Sequence, residues 1–387
     1  MLLKNKKVAI IGGGPGGLTL AVLLQNAGVS VKVYERDTNS NARVQGAPLD
    51  LHKESGLAAL EKAGLMGEFK KKYMYGADRE LIMDAKGTIH FSDHGLNHAD
   101  NFGHEHFRPE IDRGVLRKLL LDALNHDVVV WDSQFLSMKK QDVGYLLNFK
   151  NHVNAYADIV IAADGANSKI RPYITDIKPF YSGITMLEGN IADAQKNAPD
   201  IFKLLNGGKI MAFGDKQNIL LGQKGNGELG FYFSFKTDEN WAISNNLDYY
   251  DKDQVLAWFQ KEYKDWNSMW YELFKNVLLP FIPRPIYCMP LDQTWQSKPN
   301  VTMLGDAAHL MPPFAGEGVN MAMLDALELS EALLSNEHTT ILQAIESYEV
   351  TMRPRASLIA KESLDNGQKM HSATALETMV GFFSNPQ

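Results

Sequence analysis

Cysteine is almost absent: Cys288 is the one thiol in 387 residues. That excludes a disulfide framework, a Cys-x-x-Cys redox pair and any multi-cysteine zinc or iron–sulfur site. Basic residues are in deficit too, with 39 Lys+Arg against 46 Asp+Glu and a net charge of −7. Without a basic stripe to neutralise phosphates, a nucleic-acid partner is not expected. No uninterrupted apolar stretch approaches the ~18 residues of a membrane span, and Met1 to Lys7 lacks the apolar core of a signal peptide. The expectation is a soluble, cytoplasmic protein whose chemistry does not depend on thiols. What is present is an ordinary globular composition, 45% hydrophobic and 22% charged, at a length that suits two or three domains.

The chain opens as a βαβ unit. Val8-Ala9-Ile10-Ile11 is a continuous apolar run, as for a parallel strand covered on both faces. An amphipathic segment from about Leu18 to Asn26 ends at Gly28, and Val29 to Tyr34 reads as a second strand. Val128 to Trp131 and Ile159 to Ala162 are further buried-strand candidates, with a polar-faced hairpin at Phe135 to Phe149 between them. From about Ile184 to Lys236, short alternating runs separated by Gly/Asn-rich turns predict an antiparallel sheet. Val255 to Leu279 looks helical and rich in aromatics. A proline-punctuated stretch (Pro280, Pro283, Pro285, Pro290) then leads into a strand at Asn300 to Leu304. A long helix follows Gly318, and a last one runs from about Pro354 to Met379.

Three motifs carry the chemistry. Gly12-Gly13-Gly14-Pro15-Gly16-Gly17 satisfies G-x-G-x-x-G between a strand and a helix. Gly12 permits the tight turn, Gly14 lets backbone approach a pyrophosphate, Gly17 allows close packing, and Pro15 opens the helix. Glu35 ends the second strand, where an acid can hold ribose hydroxyls; a carboxylate there suits FAD or NAD better than NADP. The second motif is Asp164-Gly165 after the Ile159 strand, with Ser168 and Arg171 one turn on, where ligands meet an open α/β sheet. An Asp-Gly turn with a serine helix cap explains the same residues.

The third motif, Gly305 to Gly318, decides for flavin. Asp306 can accept hydrogen bonds from a polyol, Pro312-Pro313 stiffens the loop, and Gly316 and Gly318 leave bare backbone for a flat ligand. The next helix would point its positive N-terminus at the flavin N1/C2=O edge. The fold class is therefore α/β: a Rossmann-like FAD-binding domain with a doubly wound sheet, from segments 1–72, 104–175 and 285–345. Into it is inserted an antiparallel β-sheet substrate domain, 73–103 and 176–284, and residues 346–387 form a C-terminal bridging helix.

This trio, in this order, resembles the single-component flavin monooxygenases of the aromatic-hydroxylase type, and within them the TetX-type tetracycline-modifying enzymes. The likeness is densest at Tyr34-Glu35-Arg36-Asp37, Leu49-Asp50-Leu51-His52-Lys53, Arg108-Pro109-Glu110-Ile111 and Gly305 to Asn320. The resemblance implies that Glu35, with Arg36 nearby, holds the adenosine ribose. Arg113 would contact the ribityl–phosphate region, Asp164 would serve FAD and a transient NADPH, and Asp306 would bind the ribityl chain. Pro313, Gly316 and Gly318 would line the ring, with Arg43 and Asp50 at its border. It further implies a monomer in which NADPH reduces non-covalent FAD and O₂ gives a C4a-hydroperoxide. Tetracycline would then be hydroxylated and the antibiotic inactivated, with no catalytic side chain and no metal. The rivals are a hydroxylase of another aromatic or polycyclic compound, an FAD reductase that makes no productive hydroperoxide, and a flavoprotein that sequesters a planar drug.

The substrate side departs from the pattern. Where the tetracycline enzymes grip the substrate with a Gln, an Arg and a His, this sequence has Glu188, Lys209 and Gly230. Phe314 and Gly316 match the ring-facing loop. Met211, Phe213, Phe231 and Phe233 are pocket candidates, although alternating aromatics in a sheet are more often plain core. The helix from Met370 to Phe383 is expected to supply one wall. His90, His94, His98, His104 and His106 share a polar loop with Asp93 and Asp100, and read as solvated rather than metal-binding. His309 is expected to pack structurally, and Cys288 to be buried and inert.

Overall fold

The structure is a computed structural model that describes residues 2–41, 48–94, 102, 104 and 107–384. A five-stranded parallel sheet runs in the order Val301–Met303, Ile159–Ala162, Lys7–Ile11, Ser30–Tyr34 and Val129–Val130. Val8 pairs with Ile159 on one side and Val31 on the other. Val8 to Ile11 and Ile159 to Ala162 are buried throughout, which is why both segments are unbroken apolar runs. The helices Pro15–Asn26 and Gly318–Leu334 pack so closely that a Cβ on Gly16 would lie 2.8 Å from the Ala322 carbonyl oxygen. No helix among the described residues is long and apolar enough to cross a membrane.

A second, seven-stranded sheet takes the order Leu278–Cys288, Phe180–Ile191, Leu229–Lys236, Gln217–Gln223, Lys209–Phe213, Glu80–Asp84 and Ile89–Ser92. Its pairs are antiparallel except Lys209–Phe213 with Glu80–Asp84. The α/β class, with separate parallel and antiparallel sheets, is as the sequence predicts.

Three local expectations change. The proline-punctuated stretch is itself the edge strand Leu278–Cys288, because an edge strand can hold prolines where no ladder donor is needed. The aromatic segment is a continuous helix of more than one turn only over Lys252–Glu262. Short turns at Ser268–Tyr271 and Glu272–Lys275 then carry Trp270 and Phe274 into the core, where Phe274 stacks on Phe233 at 5.2 Å. The C-terminal helix begins far earlier than Pro354, at Ile341, and ends at Met370 before a separate helix Ala375–Ser384. Thr340 and Gln343 form a capping box at its start. Pro354 stays inside it because the buried face, which includes Tyr348, Met352, Ala356 and Ala360, fixes the helix by packing.

Candidate active site

The carboxyl ends of the parallel strands carry the motif loops side by side. Gly12 has φ +112°, and a Cβ there would sit 2.2 Å from the Ala163 carbonyl oxygen. Gly14 caps the Pro15–Asn26 helix without a side-chain acceptor, so the first amides of that helix remain available to an anion. A Cβ on Gly14 would meet nothing within 4 Å. Glu35 is buried, and its carboxylate accepts from the Gly13 amide at 2.5 Å and the Asp37 amide at 3.0 Å. Arg36 is exposed beside it; Arg43 lies outside the described residues.

Sequence reasoning missed Arg117. Its Nε donates to the Gly13 carbonyl at 3.3 Å, Nη2 to Asp37 at 2.9 Å and Nη1 to the Ser40 carbonyl at 3.2 Å. It thus locks the glycine loop to the end of the second strand. Its partners lie about 80 to 100 positions away, and only the register of the sheet brings them together.

The other two loops are held by buried ionic groups. Arg171 donates to the carbonyls of Ala166 at 3.0 Å, Asp306 at 2.9 Å and Ala307 at 2.8 Å, so it joins the second motif to the third. Ser168 Oγ accepts from the amides of Ile170 and Arg171. Asp164 Oδ2 accepts from the Lys169 amide at 2.7 Å, while Oδ1 is buried with no hydrogen-bond partner among the described residues. Burial pushes the Asp164 carboxyl pKa up. Asp306 is half-buried, and burial raises its pKa against the charges of His309, Arg113 and Arg171. His309 is structural: Nε2 lies 2.6 Å from Asp325 Oδ2, which also accepts from the Gly305 amide at 2.8 Å. Arg355 closes the set at 2.6 Å from Asp325 Oδ1.

The loop from Pro313 to Gly318 faces a second charged group. Asp50 Oδ2 lies 2.9 Å from His52 Nε2, and His52 Nδ1 lies 2.9 Å from Glu317 Oε1. Burial works against a charged imidazole, but hydrogen bonds to both carboxylates win and lift its pKa to about 9. A Cβ on Gly316 (φ +71°) would lie 3.4 Å from the Asp50 carboxylate. Lys209 does not reach out from the sheet as a free substrate anchor. Its ammonium pairs with Glu110 and lies 3.8 Å from Glu80. Burial pushes Glu80 up to about 8 and Glu110 to about 7, against the pull of Lys209.

The sheet above this loop has two faces of different character. Phe231 and Phe233 are 0% exposed in the core of the far face, so they are not pocket residues. Met211, Phe213, Phe314 and Met370 instead share one apolar cluster with Ile82 and Leu220. Alternation along a strand groups Met211 with Phe213 and Phe231 with Phe233, but does not say which face meets the loop. Glu188 is buried and paired with Arg284 at 2.8 Å. Around Gly230, Lys224 and Asn190 fill the place a side chain would take. Of the histidine-rich loop, His90 pairs with Asp84 at 2.9 Å, while His98 and His106 lie outside the described residues. Cys288 is fully buried, and burial pushes its thiol up to about 12.

Sequence reasoning also missed His371, the C-cap of the long C-terminal helix, whose ring meets that of Phe314 edge-on at 5.6 Å. Its Nε2 meets Ser234 Oγ at 2.8 Å and Asn218 Nδ2 at 3.1 Å, and its Nδ1 meets the Gly367 carbonyl at 2.7 Å. Those partners suit a neutral ring, and burial lowers its pKa from 6.5 to about 4. Below pH 6.5 the unfolded chain therefore takes a proton that the fold refuses, and stability is lost as pH falls towards about 4. The expected loss is at most about 3 kcal/mol. Thermal unfolding across this range should show a flatter acid slope in His371→Gln; an unchanged slope would remove the histidine as its source.

Residues 5–213 and 292–363 match the family model described as FAD binding domain. The chain belongs to that family of FAD-dependent monooxygenases. Monooxygenase asqM of Emericella nidulans is 28% identical over 378 residues, spanning 84% of this chain and 83% of that protein. The crystal structure of Klebsiella pneumoniae HpxO with FAD and uric acid superposes with a TM-score of 0.76 at 22% identity, over 99% of this chain and 93% of that one. Tetracycline destructase Tet(55) gives 0.75 at 18% identity, over 96% and 92%. These likenesses establish a shared fold. The residues of the FAD-binding edge fit the cofactor on their own terms: an uncapped helix start, open space over Gly14 and an unpartnered carboxylate oxygen on Asp164.

Proposed function

We propose that this flavin monooxygenase uses NADPH and O₂ to hydroxylate a fused-ring substrate of the tetracycline type, acting as a cytoplasmic monomer. The observation that carries the reading is the partly covered apolar strip of Met211, Leu220 and Phe314; Ile82, Phe213 and Met370 of the same cluster are buried behind it, packed with the Ala375–Ser384 helix. A flat, largely apolar ring system suits such a wall, which also keeps water from the reacting centre. Gly12, Gly14, Pro15 and Gly17 would hold the pyrophosphate of FAD, and Glu35 with Arg36 its ribose. Arg113, Asp164 and Asp306 would hold the ribityl–phosphate stretch, with Pro313, Gly316, Gly318, Asp50 and Arg43 around the ring. Bound flavin supplies electron transfer and oxygen activation. The protein's own part is orientation, dryness and the positive end of the Gly318–Leu334 helix, which carries no side-chain cap.

A second reading, hydroxylation of a different aromatic or polycyclic compound, is favoured by one observation. Glu188 and Lys209, at positions expected to grip tetracycline, are engaged by Arg284 and by Glu110 with Glu80. Incubation of FAD-loaded protein with tetracycline, NADPH and air separates the readings. The first expects faster NADPH oxidation and a product heavier by one oxygen atom. Oxygenation only of another fused-ring phenol supports the second. A ligand that binds and is recovered unchanged points to sequestration and removes both.

A further inference from the structure

Glu188 stands on the sheet face that carries the apolar cluster, where burial would cost an unpaired carboxylate its charge. It keeps a partner. Arg284, on the neighbouring edge strand, donates from Nε to Glu188 Oε2 at 2.8 Å, and its Nη2 lies 2.8 Å from the same oxygen. The register accounts for the meeting: Arg284 pairs with Met186 and Ile282 with Glu188, which puts Arg284 on the same face one step along. Asn190 Nδ2 donates to the other carboxylate oxygen at 3.3 Å.

Only one edge of the guanidinium is used. Arginine carries five N–H donors in a rigid plane, and Glu188 engages those of Nε and Nη2. Nη1 and the second Nη2 hydrogen are left directed away from it. The Arg284 side chain is 53% exposed while that of Glu188 is 7% exposed, so the free edge looks outward from a fixed mount. On the same face, in register with Glu188, Tyr232 lies two strands from Arg284, Leu220 three and Met211 four, and all three are only partly covered, unlike the fully buried aromatics of the far face. Lys236, the register partner of Ile184, adds positive charge towards His371. Of the two acids just past that strand end, Asp238 and Glu239, Glu239 accepts from the Tyr287 hydroxyl at 2.9 Å.

We propose that Arg284, braced by Glu188, binds an anionic oxygen of the substrate (a carboxylate, enolate or phenolate) and so sets how the ring system lies across the apolar face. This rests on reading that face as the substrate site. The substrate class narrows accordingly to planar fused-ring compounds that carry a negative charge at one edge.

The test is equilibrium binding to FAD-loaded protein, followed by quenching of intrinsic fluorescence. The probes are a fused-ring aromatic carboxylate and its neutral primary amide. Wild type is expected to prefer the carboxylate by roughly 10- to 100-fold, the worth of a charge-assisted bidentate contact. Arg284→Gln should lose that preference at unchanged FAD content. Arg284→Lys should recover only part of it, because an ammonium lacks the planar fork. Equal preference in wild type and Arg284→Gln overturns the proposal, as does a wild type that favours the amide or binds neither probe. Binding is read without turnover. A carboxylate held through Arg284 but never oxygenated would therefore leave this inference standing and remove the hydroxylase reading.

Discussion

Replacing Lys209 by methionine is expected to cost about 3 kcal/mol of stability, the low end of the loss when one member of a buried ion pair is removed. The low end applies because the Lys209 side chain is itself 31% exposed, whereas Glu110 is 1% exposed. Methionine keeps the length and the apolar stem, so the change isolates the charge. Glu80 and Lys209 are register partners on adjacent strands, and Glu110 comes from the short Leu49–Asp50 and Glu110–Ile111 pairing beneath them. Without the ammonium, Glu80 and Glu110 would face each other, with Asp50 nearby as a third acid.

The sign of the pH dependence follows. Glu80 and Glu110 have folded pKa values of about 8 and about 7, above the ordinary 4.5, so the fold retains protons that the unfolded chain has released. Their cost therefore grows as pH rises from about 4.5 to about 8 and is absent below that window. The Lys209→Met deficit should be small near pH 5 and full near pH 9. Glu110→Gln combined with it should restore much of the loss, because the paired removal leaves one acid fewer to bury. Urea unfolding of wild type, Lys209→Met, Glu110→Gln and the double variant at both pH values measures this. A Lys209→Met variant as stable as wild type at both would refute the account.

Legibility followed the range of the interaction. The glycine loop, Glu35 and the Gly305-Asp306 turn were readable because strand, turn and helix adjoin in sequence, and each glycine answers to local backbone geometry. The apolar cluster was half-readable. Phe213 and Phe231 both sit in alternating strands, but choosing the face that meets the loop requires the packing of the C-terminal helix, whose true start at Ile341 was hidden by Pro354. The ionic partners could not be read at all. Glu188 and Arg284 are 96 positions apart, and they meet only because the proline-rich segment turns out to be an edge strand. Lys209 stands where the tetracycline enzymes place an arginine, and the acids that take up its charge come from two segments more than a hundred and nearly a hundred positions away. Pairing, not composition, decides what a buried charge is free to do.

Gly14→Ala and Gly12→Ala are expected to fail in different ways, and the contrast tests the cofactor site directly. A methyl on Gly14 meets no protein atom within 4 Å, and the residue has an extended backbone (φ −80°, ψ 177°) that alanine adopts freely. The apoprotein should fold with wild-type stability. The methyl would occupy the space over the uncapped helix start, where overpacking against a pyrophosphate costs about 1–3 kcal/mol. FAD affinity should fall roughly 10- to 100-fold. Gly12→Ala meets its obstacle in the protein itself. Its Cβ would sit 2.2 Å from the Ala163 carbonyl oxygen at φ +112°, so overlap and backbone strain, each worth about 1–3 kcal/mol, fall on the fold with or without cofactor. Thermal unfolding of apoprotein and FAD titration followed by flavin fluorescence separate the two losses. A Gly14→Ala protein that binds FAD as tightly as wild type would mean that the pyrophosphate does not lie over this helix, and the cofactor placement would have to be redrawn.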